Sequence, residues 1–118
     1  MLKMNNEKKA TELAQEQLDA YNVGDIERFL HVYADDVVVM EFPSQHVMYK
    51  GKEGMRERYT QLFNDNPNNH AELLNRVVKG NIVIDHEFVT GRENGVELYA
   101  VAMYEIIDDK IKHVWFVK

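Results

Sequence analysis

The chain has 118 residues, 45% of them hydrophobic and 29% charged, the length of one domain and the composition of a folded globular protein. Its 14 basic and 20 acidic residues give a net charge of −6, which argues against nucleic acid as a partner, because that binding rests on neutralising phosphates. The absence of cysteine excludes disulfides, thiolate nucleophiles and cysteine-based zinc sites.

In chain order, the polar opening MLKMNNEKKATELAQEQ lacks the apolar core of a secretion signal, and residues 1–6 are expected to be flexible. No apolar run is long enough for a membrane span, so the cytoplasm is the expected location and no membrane partner is expected. Ala10, Leu13, Ala14, Leu18 and Tyr21 recur at helical spacing and predict a first helix over about 6–22. Gly24 suits a left-handed cap to it, and Asp25 an N-cap to a short second helix carrying Ile26, Phe29, Leu30 and Tyr33. The β-branched run DDVVVMEF predicts a strand over about 36–42, and SQHVMYKG a short edge segment closing at Gly51. A third helix is expected over about 52–64, with Met55, Tyr59, Leu62 and Phe63 as its apolar stripe. NDNPNN reads as loop, and from Ala71 onward the pattern is strand. AELLNRVVKG and NIVIDHEFVTG are expected to form one long strand bent at Gly80, followed by VELYAVAMYEII and KIKHVWFVK. The class is therefore α+β, with helices packed on one face of a mainly antiparallel sheet, in a single domain over 1–118.

Several segments resemble the nuclear transport factor 2-like superfamily, and its SnoaL-like branch in particular. AYNVGDIERFLHVYADDVVV is similar to the superfamily's opening, YKGKEGMRERY to its glycine and third helix, and AMYEIIDDKIKHVWF to its closing hairpin. The resemblance spans about residues 8–118. It implies a cone-shaped fold in which three N-terminal helices pack on a curved sheet and enclose a mostly apolar cavity, the usual kind of ligand site. It also implies cofactor-independent isomerase, cyclase or hydrolase chemistry, without fixing which, because function is grafted onto the cavity wall.

Strand parity nominates the polar residues of that wall. Ile82, Ile84, His86 and Phe88 share one face of their strand and Val83, Asp85, Glu87 and Val89 the other. The first set is apolar except for His86 and is expected to face the helices, with Asp85 and Glu87 turned to solvent or a partner subunit. His86 is then either a core histidine bonded to a tyrosine or carbonyl, or a general base of the pocket. Glu41 shares a face with Val37 and Val39. By resemblance to ketosteroid isomerases it occupies the general-base position; the alternative is an edge-strand carboxylate in water. Gln17 and Ala102 fall where that family carries its oxyanion-hole tyrosine and protonated aspartate, so the strong donors of the familiar steroid isomerisation are missing. Tyr33, Tyr59 and Tyr104 are either core aromatics or polar points on the cavity wall.

The Asp-Arg-Asp arrangement of the epoxide-hydrolase branch is not matched, since KIKHVWFVK has no aspartate and IDHEFV no arginine; the acid of the polyketide-cyclase pattern is missing from the same last strand. Glu27 and His31 read as a helix-surface pair, and no metal site or cofactor is expected. The last strand is apolar on both faces, Ile111, Trp115 and Val117 against Val114 and Phe116, and Tyr99, Val101 and Met103 extend its outer patch. A homodimer through the outer sheet face is the expectation. The functional expectation is a cavity for a small, largely apolar molecule, with Glu41 and His86 as acid/base residues and Gln17, Tyr33, Tyr59, Ala102 and Tyr104 as ligand-binding residues. The alternative is a non-catalytic ligand-binding or protein-interaction dimer.

Overall fold

The computed structural model describes residues 2–118, with side chains from residue 6 onward. Of residues 1–6, expected to be flexible, residue 1 lies outside the described residues and 2–6 form the first turns of α1. Three helices, α1 (Leu2–Val23), α2 (Ile26–His31) and α3 (Lys52–Asp65), pack on one sheet of six strands. The strands are β1 (Tyr33–Phe42), β2 (Val47–Lys50), β3 (His70–Lys79), β4 (Ile82–Thr90), β5 (Leu98–Ile107) and β6 (Lys110–Val117). Their order is β2-β1-β6-β5-β4-β3, antiparallel throughout except for the β1–β6 pair.

Of the stripe read from its spacing, α1 buries Ala10, Leu13, Ala14 and Leu18, with Gln17 beside them, and leaves Tyr21 half-buried. Gly24, at φ +70°, ends it, and the backbone N–H of Asp25 bonds the Ala20 carbonyl at 3.1 Å. Asp25 then caps α2 by accepting from the Arg28 N–H at 3.1 Å. Tyr33, expected on α2, begins β1 instead. Parallel pairing with β6 at Tyr33↔Ile111 captures the chain three residues earlier than propensity suggested. Asn22, near the end of α1, both donates to and accepts from the Ala71 backbone (2.9 and 2.8 Å), pinning the helix to edge strand β3. Phe29, Leu30, Met55, Val37 and Ile111 form the centre of the core, extended by the aromatic rings of Tyr21, Tyr59 and Phe63.

Two expectations about the strands are corrected. The segment 70–90 is not one bent strand. Gly80, at φ +59°, and Asn81 form a two-residue hairpin turn between Lys79 and Ile82, a geometry that glycine at its first position permits. The face of β4 is also reversed: Val83, Asp85, Glu87 and Val89 are buried, whereas Ile82, Ile84, His86 and Phe88 lie on the outer, half-exposed side. Apolar content was a poor guide there because the inner face holds Asp85 against Arg76 and borders a cavity that Glu87 lines. A bulge between β5 and β6 likewise brings Ile111 to the inner face with Val114 and Phe116, leaving Trp115 outside.

Candidate active site

Between the helices and the inner face of the sheet lies a cavity of about 490 Å³, well within the range of small-molecule sites. Its wall is mostly apolar and aromatic, with Phe29, Val39, Met55, Leu62, Leu98 and Val114 among its residues. One carboxyl belongs to it, that of Glu87 on β4.

Glu87 stands opposite Ala100 on β5 and Leu73 on β3, and small Ala100 leaves the space in front of it open. Beside it on the same face is Asp85, fully buried and paired with Arg76 directly across on β3. The Arg76 guanidinium donates from two nitrogens to the two Asp85 oxygens at 2.7 and 2.9 Å, and from a third to Gln15 Oε1 of α1 at 2.9 Å. Two-pronged geometry and the extra hydrogen bond are what a buried ion pair requires to offset its desolvation. One extra residue, Leu74, bulges β3 opposite His86 and Glu87, bending the sheet at this point.

These neighbours decide the acidity of Glu87. Burial pushes its carboxyl up from the ordinary 4.5, the Asp85 charge adds to the rise, and Arg76 partly offsets both, leaving it at about 7. Every fully buried side-chain nitrogen and oxygen among the described residues has a hydrogen-bond partner. The Glu87 carboxyl takes no such bond from a described side chain, so its oxygens open onto the cavity.

Around it, Tyr33, Tyr59 and Tyr104 line the same cavity. Burial raises the pKa of each phenol well above its ordinary value, with further contributions from neighbouring tyrosines and, for Tyr33 and Tyr104, from Glu87. All three are neutral hydroxyls at physiological pH. Gln17 is buried in the wall with its amide engaged: Nε2 donates to the Ala14 carbonyl at 3.0 Å, and Oε1 accepts from the Tyr33 hydroxyl at 3.3 Å.

The cavity thus brings together Gln17, Tyr33, Tyr59 and Tyr104 from the sequence reading. The other three residues lie elsewhere. His86 is on the outer face, its ring 5.9 Å from that of Tyr99. Glu41 keeps the inner parity of Val37 and Val39 but is half-buried beside Phe116 and does not line the cavity. Ala102 is fully buried within the sheet opposite Asp85, behind the lining. Glu27, read as a partner of His31, is ion-paired with Arg56 of α3. Asp85 and Glu87 are the residues that parity reasoning turned the wrong way. No group of three or more potential metal ligands occurs among the described residues, and no described helix is long and apolar enough to cross a membrane.

A helix-wrapping curved sheet with one polar cluster in an apolar cavity defines a class of α+β cone. The family model of the SnoaL-like domain matches residues 14–114, and the chain belongs to that family. Its fold is similar to an uncharacterised cystatin-fold protein from Novosphingobium aromaticivorans, at a TM-score of 0.83 and 29% identity over 92% of this chain and 97% of that one. A protein from Kribbella flavida provisionally named a ketosteroid isomerase superposes at a TM-score of 0.80 with 17% identity, covering 95% and 78% of the two chains. An epoxide hydrolase of the LEH-like type from Mycobacterium tuberculosis superposes at 0.79 with 12% identity, covering 94% and 83%. At such identities the last two are likenesses of fold alone. No curated protein matches the chain in sequence.

Proposed function

We propose that the chain binds a small, largely apolar molecule in its cavity and transfers a proton on it through Glu87, as a cofactor-independent isomerase, cyclase or hydrolase. The observation that carries this is a cavity-facing carboxyl held at about 7 by burial and Asp85. Near pH 7 such a group is present in both protonation states, the condition under which it can take and return a proton within one cycle. The Tyr104 hydroxyl, on the neighbouring strand, is a neutral donor for an oxygen that gains charge as the proton leaves. The Asp85–Arg76 pair sits beside the acid without facing the ligand, Asp85 adding to the rise that burial causes and Arg76 offsetting part of it. Glu41 and His86 have no part in this reading.

Turnover is tested on alicyclic ketones and epoxides, followed by deuterium incorporation next to the carbonyl and by diol formation. The expected result is acceleration by the native chain and a loss of roughly a hundredfold or more in Glu87→Gln, the usual size of a general acid/base contribution. If compounds bind but none is turned over, a second reading stands in its place: a non-catalytic binding module. The observation favouring that reading is the Gln17 amide, turned to Ala14 and Tyr33 and not to the cavity.

The same proposal includes a homodimer through the outer sheet face, where Ile84, Phe88, Val101, Met103 and Trp115 are only partly covered and Tyr99 is 69% exposed. An apolar sheet face of this kind fits a second copy of itself. Sedimentation at micromolar concentration should give twice the 13.8 kDa chain mass, and a single 13.8 kDa species would remove the dimer from the proposal. A cytoplasmic location belongs to this reading as well.

A further inference from the structure

The charged residues of the cavity run against the charge of the chain. Acids outnumber bases 20 to 14 overall, yet the charged side chains lining the cavity are Arg58, Arg92 and Lys118, with Glu87 as the one acidic side chain. The three cations come from separate places: Arg58 from α3, Arg92 from the loop after β4, and Lys118 from beyond β6. β4 and β6 end, and β5 begins, at the same side of the sheet, which sets Arg92 and Lys118 at one end of the cavity, with Arg58 on its wall from α3, while Glu87 lies further along β4 beside Asp85.

Their pairing is as informative as their number. Of the five arginines, Arg28, Arg56 and Arg76 are each ion-paired with a carboxylate. Among the described residues the two without a carboxylate partner are Arg58 and Arg92, and these two line the cavity. Both are held in place by uncharged contacts. Arg58 lies over the Tyr49 ring, 4.4 Å from its centroid, and Arg92 Nε donates to Asn69 Oδ1 at 2.6 Å, with Asn69 in turn bonded to the Tyr21 hydroxyl at 2.6 Å. A guanidinium anchored through one nitrogen keeps its other N–H groups for an incoming acceptor. Cations lining an apolar, low-dielectric cavity also concentrate the field there and draw anions in.

We propose that the ligand is an amphiphilic anion, its apolar body in the cavity and its one carboxylate, sulfonate or phosphate group held by Arg58, Arg92 and Lys118. The anionic end is then oriented away from Glu87, which meets the apolar end of the molecule. This rests on the cavity being the ligand site and is independent of whether Glu87 is catalytic.

Two dyes with the same aromatic body test it by fluorescence titration of the full chain at low ionic strength: 8-anilinonaphthalene-1-sulfonate, an anion, and neutral N-phenyl-1-naphthylamine. Replacing three cations, Arg58→Gln, Arg92→Gln and Lys118→Gln, should weaken the anionic dye roughly tenfold and the neutral dye less than twofold, since charge contacts of this kind are individually modest at an open site. Arg92 also supports Asn69, so the double variant Arg58→Gln/Lys118→Gln provides a milder version, expected to weaken only the anionic dye, about threefold. Ala100→Trp, which fills the cavity, should abolish both. Equal losses for the two dyes, or none for the anionic one, would overturn the proposal while leaving the cavity as a ligand site. Undiminished binding of the anionic dye to Ala100→Trp would place it elsewhere on the surface and overturn the proposal too. Binding of neither dye to the native chain would remove the cavity reading itself, and this inference with it.

Discussion

The two faces of β4 carry opposite solutions to the same problem. On the inner face Asp85 and Glu87 are buried among helices and sheet, and each is managed differently: one by a two-pronged arginine, the other by an open cavity and a raised affinity for its proton. On the outer face Ile84, His86 and Phe88 lie beside Val101, Met103 and Tyr99, apolar for the most part and incompletely covered. Buried charge is costly and persists where it does something, whereas a partly bare apolar sheet calls for a covering. The difference teaches that hydrophobicity marks the hidden face of a sheet only where that face meets a solid core. Where it meets a cavity, the polar residues go in.

The largest expected effect comes from breaking the inner pair. Arg76→Ala leaves Asp85 charged, buried and alone, and should cost about 3–5 kcal/mol in urea denaturation. The adjacent outer-face substitution Val77→Ala, at a position 60% exposed, should change stability by less than about 0.5 kcal/mol. A loss below 1 kcal/mol in Arg76→Ala would erase the contrast between the faces (about one surface substitution's worth). The double variant Arg76→Met/Asp85→Leu should recover most of the loss, because it removes the charges together.

Next is the pH dependence of Glu87. Its carboxyl titrates near 4.5 when unfolded and at about 7 in the fold, so the folded chain binds the proton more tightly. Stability from this group is therefore complete at low pH, declines as pH rises above the unfolded value, and is fully lost above the folded one. The size is roughly 3 kcal/mol, from 1.36 kcal/mol per unit. Thermal unfolding of Glu87→Gln against the native chain should show the variant gaining stability from pH 5 to pH 8 by about this amount. A flat difference across that window would mean that the acid is not buried as described.

The outer face is sharpened by Met103→Glu, which sets a charge in the middle of the apolar patch. Sedimentation should show the proposed dimer weakened roughly a hundredfold, the scale of a central interface residue. The smallest effect is expected of His86→Ala. On a half-exposed face away from the cavity, it should alter stability by less than about 1 kcal/mol, and any turnover by less than about threefold.

Most of the architecture was legible because it rests on local signals: the α1 stripe, Gly24 and Asp25 between the helices, and the third helix after Gly51. The site was legible in part. Gln17, Tyr33, Tyr59 and Tyr104 were nominated and line the cavity, but the acid at its centre was assigned to the outside. The missing signal was Gly80-Asn81, read as a kink and in fact a hairpin turn. With Lys79 set opposite Ile82, counting back along both strands puts Arg76 opposite Asp85, and an aligned arginine and aspartate would have marked that face as the charged, enclosed one. The β5–β6 bulge that moves Ile111 inward has no comparable local cue, because it comes from the register that the whole sheet adopts.

An alanine of β5 carries a consequence for how such a pocket changes over time. Ala100 stands opposite Glu87, so the room next to that acid is set by a residue with no chemistry of its own. A single substitution at Ala100 to serine, valine or leucine would reshape the guest that fits while leaving the acid, its ion pair and its tyrosines untouched. Under the proposed function, a lineage could then exchange one guest for another in small steps while keeping Glu87 and its ion-paired neighbour, and selection could act on the shape of the pocket separately from its acid.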